Sequence, residues 1–210
     1  AALTSVQLNA MASDDLKALT TTQVRALTSD QLSKLSSDQV ALMATDDIAA
    51  ISSAQISHLS TGAIGALTTA QAKALTTAAI NALTSAQIAA IETADLAAMS
   101  STQLSNMGNT QVAQLTSLQV AALTTGQLKS LSSGQVAALT SAQLNALTSA
   151  QLPSLSSSQV RALTTDQLSK LTTTQVAGLS TAQVAALSTG QVAALTSVQL
   201  NAMASDDLKA

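Results

Sequence analysis

Few side chains in this sequence have the type and spacing that chemistry requires. The one histidine, His58, occupies a place held by Ala, Ser and Lys in equivalent segments and reads as a surface residue. Three acidic pairs, Asp14–Asp15, Asp46–Asp47 and Asp206–Asp207, could attract Ca²⁺, but no loop with EF-hand spacing surrounds them. They read instead as acids in the first turn of a helix, where the backbone dipole favours negative charge. Beside Ala12, Ala44 and Ala204, the hydroxyls of Ser13, Thr45 and Ser205 are expected to take over helix capping. The chain carries 29 Ser and 28 Thr, yet a hydroxyl nucleophile needs a base beside it, and none is placed. The expectation is therefore no catalytic, cofactor-binding or metal-binding residue, no cofactor, and no enzyme.

Composition narrows the classes further. The 210 residues include no Cys, Trp, Tyr or Phe, and 8 Lys and Arg stand against 11 Asp and Glu, a net charge of −3. Zero Cys excludes a disulfide framework and a thiolate metal site. Eight scattered bases and no aromatics leave neither a basic surface nor a stacking platform for nucleic acid. No apolar run approaches the roughly 18–20 residues that span a bilayer, and no basic-then-apolar leader opens the chain.

The elements that would position any site are set by a repeat of eight. A large apolar residue recurs at Leu3, Met11, Leu19 and so on to Met203, 26 times, as Leu, Met or Ile only. With that residue as position 1, position 2 is Ser or Thr in 21 octads and position 3 in 25. Position 5 is Gln in 20 octads, and position 6 is Val, Leu or Ile except at Ala72. The consensus is L-T-S-x-Q-V-x-A. A longer period overlies it: residues 193–210 are identical to 1–18, which suggests a 192-residue super-repeat in a longer protein. The register is unbroken, so 1–210 reads as one continuous repeat domain.

An eight-residue period fits neither a continuous helix, whose stripe would drift by about 80° per unit, nor a strand, because positions 1 and 6 differ in parity. It fits a short helix restarted in every octad. The hydroxyl at position 2 is an N-cap, Gln at position 5 completes a capping box, and positions 1 and 6 form the hydrophobic staple. Charge gives an independent test. Every acid lies at position 2, 4 or 5 and every base at position 7 or 8, the order a helix dipole favours. Pro153, at position 7, argues against one long helix. Helices this short are unstable alone and must be held by packing.

The architecture that follows is an all-α solenoid of short capped helices. Two octads per coil is the first choice and three the alternative, with a β-solenoid as the competing fold. Positions 1, 6 and 8 should form the core, and position 7 should be the most solvated. Position 3 is more constant than capping requires, which points to hydrogen bonds between units.

The runs LTTTQVRAL (19–27), LTSLQVAAL (115–123) and LSSGQVAAL (131–139) resemble the octapeptide arrays of giant bacterial surface or adhesin-like proteins, some labelled haem utilisation or adhesion proteins. The resemblance covers the whole chain and implies a structural or adhesive role. The haem label finds no support in the residues, since only His58 and scattered Met could serve as axial ligands. One octad also resembles the opening of a TAL-effector repeat, but that unit is far longer and its base-reading loop has no counterpart. Together these readings predict a structural segment of an extracellular or cell-surface fibre, sheath or adhesin stalk. Its expected partner is itself, as a homo-oligomer or filament, with no nucleic acid, no membrane span and no small-molecule substrate. The alternative is an ice- or surface-binding array using the Ser/Thr rows.

Overall fold

The structure, a computed structural model, describes residues 4–203. Among the described residues it holds 24 α-helices of four to six residues, one 3₁₀ turn at Leu152–Ser154, and no strand. The chain is an all-α solenoid, and the β-solenoid alternative is set aside.

Each helix begins at position 3 and is preceded by an extended cap. Helix Ser117–Ala122 is typical: Thr116 has φ −70° and ψ 158°, and Leu123 at the far end has φ −61° and ψ 137°. Extended residues at positions 1 and 2 thus swing the chain from one helix to the next. No described residue has positive φ, which is why the fold manages with 7 Gly. In its own octad, Pro153 leaves a 3₁₀ turn where the others form an α-helix. Proline lacks the N–H, and its ring crowds the carbonyl four residues earlier.

The chain divides into two compact units, 1–107 and 108–210. In the first, Thr21–Arg25 packs on Thr45–Ala50, which packs on Thr69–Ala74, which packs on Thr93–Ala98. In the second, Asn109–Ala113 packs on Ser133–Ala138, which packs on Ser157–Arg161 and so on to Thr181–Ala185. Every such step is three octads, or 24 residues. The expected two octads per coil is therefore corrected to three. Two facing helices would enclose one seam. Three enclose a central core that buries positions 1 and 6 of most described octads, Val192 being an exposed exception.

That core is dry. Leu32, Val40, Ile48, Val120 and Leu128, all at position 6, have no exposed surface. The position 1 side chains around them, such as Leu35, Ile51 and Leu123, are buried as well. Position 8 lies mostly at the margin, with Ala50 buried but Ala66, Ala82 and Ala122 only half-buried. Position 7 is not the most solvated. Every described residue at position 4 is exposed, including the apolar Val6, Leu118 and Val198, whereas Ala41, Ala49 and Ala97 at position 7 are half-buried.

Candidate functional site

The residue that carries the most chemistry in each octad is the glutamine at position 5. A helix of five or six residues leaves nearly all of its backbone groups at one end or the other. At the N-terminus, Ser156 Oγ accepts from the Gln159 N–H at 3.2 Å, while Gln159 Oε1 accepts from the Ser156 N–H at 2.7 Å. The expected capping box is present in most octads. Gly108, without a side chain, keeps only its own N–H donation to Gln111 Oε1 at 3.0 Å.

The same side chain does a second job. Gln159 Nε2 donates to the carbonyls of Leu128 at 2.8 Å and Leu131 at 2.7 Å. Gln55 Nε2 reaches Val24, Arg25 and Leu27 at 3.2, 3.2 and 2.9 Å. Gln71 reaches Val40 and Met43, each at 2.8 Å. The partners always lie 31, 30 or 28 residues earlier, at the C-terminal end of a helix in the preceding turn. One amide therefore serves the N-terminus of its own helix and the C-terminus of a helix below. The capping box alone accounted for this column in the sequence. Its near invariance and its place beside an apolar position were the signals of burial. Gln119, Gln135 and Gln159 are 3% exposed or less.

Hydroxyls at position 3 add contacts between turns, as expected. Ser157 Oγ donates to the Ala182 carbonyl at 3.1 Å, and Thr69 Oγ1 donates to Asp95 Oδ1 at 2.7 Å. Position 2 hydroxyls are turned toward their own helices as caps.

The acidic octads form a second class. Position 5 is Asp at 15, 47, 95 and 207, and in these octads position 2 is Ala12, Ala44, Glu92 and Ala204. None of these four position 2 residues carries a hydroxyl, whereas Gly108, which also lacks one, is followed by Gln111. Ser13 and Thr45 do not take over capping. Each is the first residue of its helix, Ala12 and Ala44 remain the caps, and neither makes a side-chain cap bond. The N–H of Asp47 bonds instead to the Ala44 carbonyl at 3.0 Å, because the helix closes its first turn on the nearest acceptor. Asp206–Asp207 and Ser205 lie outside the described residues.

The acidic pairs differ in surroundings. Asp14, Asp15 and Asp46 are exposed, whereas Asp47 is 2% exposed. Its Oδ2 has no hydrogen-bond partner. Burial, with a smaller contribution from the Asp46 charge, raises its carboxyl above the ordinary value of 3.8. His58 is exposed. Among the described residues no three His, Asp or Glu side chains converge as a metal-ligand group. No helix among them is long and apolar enough to cross a membrane.

No curated protein and no solved structure matches the chain. A family model described as the ALTTAQ repeat matches it seven times, at residues 8–45, 40–77, 88–125, 120–157, 141–173, 149–181 and 168–197. Its name is spelled out by Ala66–Leu67–Thr68–Thr69–Ala70–Gln71, which runs from position 8 through the cap to the joint-forming glutamine. With matches over most of its length, the chain belongs to the ALTTAQ repeat family.

Proposed function

We propose that this repeat protein serves as a structural, length-setting element: a segment of an extracellular or cell-surface fibre, sheath or adhesin stalk that self-associates. The observation that carries the reading is the glutamine joint. The cap hydroxyl of an octad is spent on its own helix, and the amide and both large apolar positions are spent on holding that octad to its neighbours. What faces outward is variable and nearly uncharged, and a surface of low charge resists association poorly. Few Lys and Arg and no aromatic residues offer little to common extracellular proteases. At three octads per turn, a 192-residue super-repeat would hold eight whole turns, so successive copies would present the same columns.

Electron microscopy and sedimentation of the 210-residue chain and of a tandem of two 192-residue units test this. Particles whose length doubles in the tandem, and whose mass grows with protein concentration, are the expected result. A tandem particle that does not lengthen would overturn the length-setting role. A mass independent of concentration and ionic strength would overturn self-association.

A further inference from the structure

We propose that the buried, unpartnered Asp47 carboxyl is a weak point in the joint between helix Thr45–Ala50 and the turn before it, and that its ionisation loosens that joint. The register places the argument. The glutamine joints reach carbonyls 31, 30 or 28 residues back. For Asp47 those residues are Leu16, Lys17 and Leu19, at the C-terminal end of helix Ser13–Lys17. A glutamine there would donate to them, but an ionised aspartate has no donor. It would set a negative charge against carbonyl oxygens that already carry the negative end of a helix dipole. A protonated carboxyl restores one donor and removes the charge.

The surroundings supply no other compensation. Asp47 is 2% exposed, and its Oδ2 is unpartnered. The equivalent Asp95 accepts from Thr69, and Thr21 holds the corresponding place before Asp47 without serving Oδ2. Among the helices packed on Thr45–Ala50, Thr21–Arg25 carries Arg25 and Thr69–Ala74 carries Lys73. Helix Ser13–Lys17 carries Asp14, Asp15 and Lys17; its sequence neighbour Ser37–Leu42 carries Asp38, and His58 follows Ser53–Ile56. All of these groups, and Asp46 on the same helix, are exposed. The one ion pair among the described residues is Lys170–Asp166.

A carboxyl raised by burial binds its proton more tightly in the folded state. Its stabilising effect is complete below the unfolded value and is lost as pH rises through the folded one. Hydrogen exchange of the full chain reads this locally. In the wild type, opening of residues 45–50, corrected for intrinsic exchange, should rise with pH by about tenfold for each unit of displacement. Residues 117–138 serve as the internal reference. In Asp47→Gln and Asp47→Asn the profile of residues 45–50 should be flat. Parallel profiles in wild type and variants would sink the proposal. So would protection by added Ca²⁺ at neutral pH in the wild type alone, which would put a cation where the proton is placed. Should the variants fold poorly, carboxyl ¹³C titration of the wild type decides: a midpoint above 3.8 for Asp47 supports the proposal, and one at or below it does not.

Discussion

Replacing Gln159 by alanine would break hydrogen bonds at the N-terminus of its own helix and at the C-terminus of another. The Ser156 N–H and the Leu131 carbonyl would lose their partner, and the Leu128 carbonyl, which also accepts from the Leu131 N–H, would lose one of two. Each orphaned buried group costs about 1–3 kcal/mol, so Gln159→Ala should destabilise by about 2–4 kcal/mol in urea unfolding. Gln23 is exposed and bonds to Thr20 within its own cap. Gln23→Ala should cost only about 1 kcal/mol, and equal losses at the two sites would show that the joints between turns contribute nothing. A gain is available at Ala44. It caps Thr45–Ala50 without a side-chain bond, so Ala44→Thr should stabilise by about 0.5–1 kcal/mol, read as a thermal midpoint higher by a few degrees. The cap hydroxyl and the Gln three residues on act together in most octads, while Ser60 and Thr76 cap onto Ala63 and Ala79 with no amide to answer them.

A single helix of five residues has no stability of its own. Its persistence depends on the core residue at position 6, and Ile88, with no exposed surface, is a direct test. Ile88→Ala should cost about 2–5 kcal/mol through lost burial and the cavity left behind. The 3₁₀ turn at Leu152–Ser154 has a separate cause, the missing N–H of Pro153. In Pro153→Ala the octad regains that donor, and an α-helix like those of its neighbours should form. Protection of the new amide at residue 153 in hydrogen exchange checks this, and an unprotected amide would mean that something other than proline shapes the turn.

Because helices within each unit rest on the helix three octads away, each unit behaves as a one-dimensional stack in which each turn meets only its neighbours. Deleting the octad Leu123–Ser130 moves every later helix into the next column. All columns carry the same position 1, 5 and 6 chemistry, so the joints re-form with new partners. The thermal midpoint should fall only by the loss of one unit. Deleting four residues, 123–126, puts core positions on the surface and should abolish cooperative unfolding of the second unit. If the eight-residue deletion proves as damaging as the four-residue one, the columns are not interchangeable.

Much of this was legible in the octad. The cap at position 2, the box with position 5, the direction of each helix and the core at positions 1 and 6 all follow from bonds and contacts spanning three or four residues. An eight-residue unit contains those in full. The number of octads per turn was not legible, because near-identical units carry no mark separating a 16-residue from a 24-residue stack. The second role of Gln159 was hidden for the same reason, since its partners lie 28 and 31 residues away. So was the difference between the exposed Asp15 and the buried Asp47, which have the same local sequence logic. The sequence alone determined how each helix starts, points and ends, because short-range hydrogen bonding decides that. Tertiary structure alone decided which helix lies over which, and therefore which carboxylate leaves water, because only packing three helices around one core brings distant residues together.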